Sequence, residues 1–323
     1  MKLVILDSYA LTPNDLDWSP LETVVDEIVS YARTPYDKII ERIGNAELAI
    51  VNKSYIDETV LQACPSLQWV GVIATGTDSL DIEACRQHGV AVANVPSYST
   101  NAVAQLTFAL LLNGCQQVLQ HNRVVREGYW QLDVPENLTP NIPMELFGKT
   151  MGIVGYGEIG QKVAAIANAF GMKVLVHTRT MRKEYETHQV QFVAQNELFA
   201  QSDVISLHCP ATAQTKEIIC KENLAHCKKG VFLINTARGA LVNETDLLQA
   251  LQEETIAFYG ADVCAIEPAT PDNPLRTASN VLLTPHIAWT TPEALNRLSN
   301  CVCSNLKSFL NGKAENVVNG VFD

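Results

Sequence analysis

The sequence predicts an α/β protein of two domains, one of them built on a doubly wound parallel sheet. Three observations predict it. The chain has 323 residues, which suits about two domains. Short apolar runs alternate with helical patterns along most of its length, the rhythm of a parallel sheet with crossover helices. That rhythm breaks once, around Pro135, Pro140 and Pro143, and restarts at Lys149, so the prolines mark a linker or boundary.

In the first hundred residues the candidate strands are 3–6, 48–51, 70–73 and 90–93, with helix-like segments at 57–63 and 81–88. Residues 101–126 read as one long helix, which Asn101 can cap and in which apolar residues are frequent throughout. After the prolines the candidate strands are 151–154, 173–177, 204–207, 231–234, 258–261 and 281–283. Helical stretches separate most of them, as in a sheet covered on both faces. Residues 291–310 read as a last helix, with Pro292 suited to its first turn.

Composition excludes several classes. The chain is 47% hydrophobic and 18% charged, an ordinary balance for a globular protein. Its net charge of -12 argues against a nucleic acid partner, because phosphate binding needs a basic face. The nine cysteines form no C-x-x-C pair, and Cys301 and Cys303 stand too close together for a zinc site, so no metal is expected. An odd count without a secretory segment reads as reduced thiols in the cytoplasm. The start, MKLVILDSY, lacks the apolar core of a cleaved signal. The longest apolar run, 103–112, contains Gln105 and Thr107 and is too short to span a bilayer.

The stretch GIVGYGEIGQKVA places Gly155, Gly157 and Gly160 in G-x-G-x-x-G spacing between an apolar strand and a helical pattern. In that context the first glycine allows a tight turn and the second lets the backbone approach a pyrophosphate. The third lets helix and strand pack closely, and the phosphates sit at the helix N-terminus. The blander reading is a glycine-rich turn with no ligand. Ligands of open α/β sheets bind beyond the carboxyl ends of the strands. There the sequence delivers Arg238 after 231–234, Asp262 and Glu267 after 258–261, and His286 after 281–283. Singly, each is an ordinary loop residue. Jointly, behind a dinucleotide loop, they fit reduction of a 2-oxo acid: an arginine clamps the carboxylate, and a histidine supplies a proton as the carbonyl oxygen gains charge. A nearby carboxylate favours the charged imidazolium.

Over essentially its whole length the chain resembles the D-isomer-specific 2-hydroxyacid dehydrogenase family. The matching segments are ATGTDSLD (74–81), GIVGYGEIGQKVA (152–164), HCPAT (208–212), FLINTARGALVNETDLLQAL (232–251), GADVCAIEP (260–268) and LLTPHIAW (282–289). VILDSYALTPNDLDW and VPSYSTNAVAQLTFALLL, with Gln105 where glutamate is more usual, are most similar to the glycerate dehydrogenase or hydroxypyruvate reductase branch. The resemblance implies a Rossmann-type dinucleotide-binding domain over 99–287. It also implies a smaller flavodoxin-like α/β substrate domain, discontinuous, from 1–98 and 288–323. It implies roles as well. Arg238 binds and polarises the substrate, His286 is the acid/base, and Glu267 hydrogen-bonds His286. Asp262 contacts the nicotinamide, while Glu158, Ile159, Cys209, Pro210, Thr236 and Ala237 line the cofactor. Backbone N–H groups of Thr75, Gly76 and Thr77 hold the substrate carboxylate. The implied activity is NAD(P)-dependent oxidation and reduction of small D-2-hydroxy and 2-oxo acids. A homodimer is expected by analogy with the family and because long helices such as 101–126 often pack between subunits. A D-lactate-type 2-ketoacid reductase is a close variant, with Trp289 and Lys53 able to shape the choice or to serve only in packing and solvation. A dinucleotide-sensing, corepressor-like binding protein is the alternative from another class.

KVLVHTRTMRK (173–183) bears on the cofactor. Its strand portion ends about twenty residues after Gly155, where an NAD site places an acid on the ribose hydroxyls. Aligned on the family pattern, Thr178 takes that place. Thr178 removes the repulsion a carboxylate would exert on a 2′-phosphate, and Arg179 can bind the phosphate through its planar fork, with Arg182 or Lys183 adding to it. A solvated basic loop that tolerates both cofactors is the other reading. NADPH is therefore expected to be favoured, or at least accepted beside NADH.

Overall fold

The structure, a computed structural model, describes residues 1–10, 12, 15–128, 130, 143–180, 183–313 and 315–321. Pro135, Pro140 and Arg182, and the side chain of Lys183, lie outside the described parts. The chain divides into two units, Met1–Ser99 with Trp289–Asp323, and Thr100–Ala288.

The discontinuous unit holds five parallel strands: β1 (Lys2–Ile5), β2 (Glu27–Ser30), β3 (Leu48–Val51), β4 (Trp69–Val72) and β5 (Ala91–Ala93). Their order, β2-β1-β3-β4-β5, is the flavodoxin-like one. Every residue of β3, β4 and β5 is buried, which is why these strands read as unbroken apolar runs. The helices Glu58–Ala63 and Ile82–Gln87 begin at Asp57 and Asp81, whose carboxylates accept the N–H of Val60 and Ala84. Thr291 caps Pro292–Leu310 in the same way, accepting from Ala294.

The other unit holds β6 (Thr150–Val154), β7 (Lys173–His177), β8 (Val190–Phe192), β9 (Val204–Leu207), β10 (Val231–Asn235), β11 (Ile256–Ala261) and β12 (Val281–Leu283). All pair in parallel, in the order β12-β11-β10-β9-β6-β7-β8. Chain order reverses between β6 and β9, the switch point of a doubly wound sheet. Its two faces feed separate cores: Leu175, Ile205 and Leu233 pack in one, Val174, Val176, Val204 and Ile234 in the other. Each such aliphatic side chain stabilises the fold by about 1.5–3 kcal/mol on burial, so the strands are fixed by their apolar residues and the loops are left to carry polar groups.

Three expectations need correction. The helix expected over 101–126 is two, Thr100–Gln116 and Val118–Arg126, bent by 53°. Gln117 stands at the break in a left-handed backbone, φ 49°. Asn101 lies inside the first of these helices and is not its cap. The sheets also carry two strands absent from the sequence reading, β2 and β8, each at the edge of its sheet.

Candidate active site

Parallel strands end on one edge, so the loops that follow them form a rim. Along the larger sheet that rim carries, in order, Thr178 and Arg179 after β7, the glycine loop after β6, and Cys209 and Pro210 after β9. Thr236, Ala237 and Arg238 follow β10, Asp262 and Glu267 follow β11, and His286 follows β12. A nucleotide end and an acid–base end thus share one edge. Thr75, Gly76 and Thr77 belong to the other unit, in the loop after β4. Lys53, exposed, follows the neighbouring β3. Trp289 is in that unit too, its ring edge-on to Tyr98.

The three glycines differ physically. Gly155 has φ +95°, and a Cβ there would lie 2.6 Å from the Cys209 nitrogen. A Cβ on Gly160 would lie 2.3 Å from the Gly155 carbonyl oxygen, so this glycine lets helix Glu158–Ala169 sit against the strand. A Cβ on Gly157 would meet nothing within 4 Å. Gly157 is also the residue that opens the helix, with no side chain capping it. Open space at a helix N-terminus is what a pyrophosphate requires, so the residues fit a dinucleotide. Glu158, in the first turn, accepts a hydrogen bond from Thr100 Oγ1 at 3.2 Å.

His208 closes β9 beside this turn. Its Nε2 pairs with Ser206 Oγ at 2.8 Å, while its Nδ1 is shut away from solvent without a partner. Burial pushes its pKa down to about 3, so the ring is neutral. Thr178 is half-buried. Arg179 is exposed and makes no ion pair among the described residues.

The Arg238 loop is tied by Asn235, a fully buried residue ending β10. Its Oδ1 accepts the Ala237 N–H at 3.0 Å and its Nδ2 donates to the Arg238 carbonyl at 3.0 Å. Thr236 Oγ1 pairs with Thr107 Oγ1 at 3.0 Å. The half-buried Arg238 donates from Nη1 to the Ala237 carbonyl at 2.9 Å. Gly239 has no room for a side chain: a Cβ would fall 1.9 Å from the Cys264 carbonyl oxygen. The arginine loop and the segment leading to Glu267 are therefore in backbone contact.

His286 is held on two sides. Its Nδ1 pairs with Glu267 Oε2 at 2.6 Å; Glu267 Oε1 accepts the Cys264 N–H at 3.3 Å. The His286 backbone is left-handed, φ 56°, a conformation costly for a residue with a Cβ. Asp262, 1% exposed, fixes the loop that holds it there. Asp262 Oδ1 accepts from Ile287 N–H at 2.9 Å and from Thr284 Oγ1, and Oδ2 accepts from Ala288 N–H at 2.7 Å. Burial raises the Asp262 pKa, and these three donors oppose the rise. Asp262 is thus the anchor of the histidine loop. The sequence reading missed Asn235, Gly239 and Thr284. Each had a faint signal: a polar end to an apolar run, a glycine directly after the arginine, and a hydroxyl before Pro285.

With Nδ1 committed to Glu267, Nε2 is the nitrogen left to exchange a proton with a substrate oxygen. These loops define an oxidoreductase of the dinucleotide-binding class. The chain belongs to the D-isomer specific 2-hydroxyacid dehydrogenase family, whose NAD binding domain matches residues 108–288. It is 43% identical over 323 residues to the hydroxypyruvate reductase of Blautia hydrogenotrophica, covering 99% of this chain and 100% of that one. To the glycerate dehydrogenase of Methylorubrum extorquens it is 37% identical over 287 residues, 87% of this chain and 88% of that one. Among solved structures, an acyclic imino acid reductase in complex with NADPH and D-Arg matches with TM-score 0.87 and 31% identity, over 98% of this chain and 100% of that one.

Proposed function

We propose that the protein reduces hydroxypyruvate to the D-hydroxy acid, and glyoxylate with it to the achiral glycolate, with His286 as proton donor. The observation that carries the reading is the His286–Glu267 pair, 2.6 Å apart on the rim of a dinucleotide-binding sheet, in a chain similar from end to end to a hydroxypyruvate reductase. A reduced nicotinamide bound at the rim supplies the hydride. Glu267 fixes the ring of His286 through its 2.6 Å hydrogen bond to Nδ1. Nε2 of His286 gives its proton to the carbonyl oxygen as negative charge develops there, and Arg238 binds the carboxylate and polarises the carbonyl. Asp262, which holds the histidine loop, would stand beside the nicotinamide carboxamide of a bound cofactor. Backbone N–H groups of the 75–77 loop take the substrate carboxylate.

The cofactor end favours NADPH. Thr178 stands where an acid would repel a 2′-phosphate, and the exposed Arg179 guanidinium has no competing carboxylate among the described residues. One charged hydrogen bond contributes roughly 1.5–3 kcal/mol, about ten- to a hundredfold in preference. We also propose a homodimer, supported by Val118, Leu119 and Val125, 61%, 61% and 48% exposed on one helix. A cytoplasmic location fits the nine free thiols.

The test is dinucleotide oxidation followed at 340 nm with hydroxypyruvate, glyoxylate and pyruvate, each with NADPH and NADH, in wild type and Arg179→Ala. Hydroxypyruvate should give the highest kcat/KM, and the substitution should cost about tenfold or more with NADPH and little with NADH. Preference for pyruvate would move the protein to the lactate type. Dinucleotide binding without turnover of any oxo acid would favour a binding module. Strong NADH preference that Arg179→Ala leaves untouched would end the NADPH reading.

A further inference from the structure

We propose that Asn94 is a positioning residue for the substrate-binding 75–77 loop, and that the C-terminal helix and tail lock it in place. The proposal rests on the reading that this loop holds the substrate carboxylate.

Asn94 directly follows β5. Its Nδ2 donates to the Thr75 carbonyl at 2.7 Å. Thr75 Oγ1 donates to the Val95 carbonyl at 2.7 Å, and the Val95 N–H donates to Ala74 at 2.9 Å. Three hydrogen bonds therefore stitch the start of the loop to residues 94 and 95.

The other side of Asn94 is gripped by distant parts of the chain. Its N–H donates to the Asn316 carbonyl at 3.1 Å. Its carbonyl accepts from Asn305 Nδ2 at 2.9 Å, across 211 positions of sequence. Asn305 lies on helix Pro292–Leu310 and is 1% exposed. Its Oδ1 accepts from Asn316 Nδ2 at 2.8 Å. Asn316 has a left-handed backbone, φ 54°. Asn319 fastens the tail further along: its Oδ1 accepts from the Val92 N–H at 3.1 Å and its Nδ2 donates to the Val90 carbonyl at 2.7 Å. The backbone N–H and carbonyl of Asn94 and its side-chain donor are thus all engaged, the first two by the C-terminal segment and the last by the loop.

The chemistry explains the arrangement. Backbone N–H groups that hold a carboxylate act only when aimed in advance, and a loose loop loses affinity by being ordered at each binding event. Asparagine fits position 94 because its amide supplies a donor to the Thr75 carbonyl. Aspartate has the same shape and supplies none. A network serving stability alone would change Tm; a positioning network changes the KM of the oxo acid.

The experiment measures KM for hydroxypyruvate, kcat, NADPH affinity and Tm in wild type, Asn94→Asp, Asn94→Ala, Asn316→Gly and Gly76→Val. Asn94→Asp and Asn94→Ala should raise the hydroxypyruvate KM about tenfold, with kcat within about twofold and NADPH affinity unchanged. Asn316→Gly, at a backbone angle glycine adopts freely, should raise KM about threefold and keeps the test valid if the Asn94 variants fold poorly. Unchanged KM in the Asn94 variants while Gly76→Val raises it would overturn this proposal and leave the loop's role intact. So would a KM rise matched by an equal loss of NADPH affinity and a lowered Tm. Unchanged KM in Gly76→Val would overturn the reading of the loop and the proposal with it.

Discussion

His286 would not hold a left-handed backbone by preference, and the residues that keep it there were the ones hardest to see in the sequence. Arg238, Glu267 and His286 announced themselves by following apolar runs. Asn235, Thr284 and the anchoring part of Asp262 did not, because what matters in them is which backbone N–H or carbonyl their side chains meet, and that is decided by packing. His208 gives a prediction at this scale. Its pKa falls from 6.5 to about 3 on folding because the ring is buried. Above about pH 6.5 it is neutral in both states and has no effect on stability. Below that, the unfolded chain takes up a proton that the folded ring refuses, so stability falls on acidification, by up to about 1.4 kcal/mol per pH unit, and this contribution levels off near pH 3. Denaturant unfolding between pH 4 and 7 should therefore show a shallower loss in His208→Gln than in wild type. Equal slopes would show that the ring titrates normally.

The glycine loop belongs to the scale of elements. Its spacing was plain in the sequence, but the division of labour among the glycines needed coordinates. Gly160→Ala drives a Cβ into the Gly155 carbonyl, so it should lower both Tm and dinucleotide affinity. Gly157→Ala meets only open space, so it should leave Tm within about a degree and still weaken dinucleotide binding about tenfold or more, because the methyl group stands where the phosphates approach. Calorimetric binding and melting of both variants check this; normal binding by Gly157→Ala would remove the phosphate from that place. The elements missed in the sequence share a cause. β2 and β8 are edge strands, half-covered, with burial alternating or partial along EIVS and VQF, so neither shows the apolar run that betrays a central strand. The break at Gln117 was invisible because helical periodicity continues on both sides and glutamine is a good helix former.

At the scale of the whole molecule, two parallel sheets were legible because both are buried on their faces, and the family pattern gave their order of use. A dimer was expected by analogy alone. Val118, Leu119 and Val125 are exposed on one helix, and grouped apolar exposure is of the kind that marks a protein contact. Sedimentation should give a dimer, and Val118→Asp with Leu119→Asp should shift it toward monomer; a monomeric wild type would refute the assembly. No single described helix is long and apolar enough to cross a membrane. Turnover in this chain depends on His286 as proton donor, and the direct test is steady-state reduction of hydroxypyruvate by His286→Ala, with NADPH binding measured on the same sample. The expected kcat is lower by about a hundredfold to ten-thousandfold, with NADPH still bound at near wild-type affinity. A kcat close to wild type would contradict it.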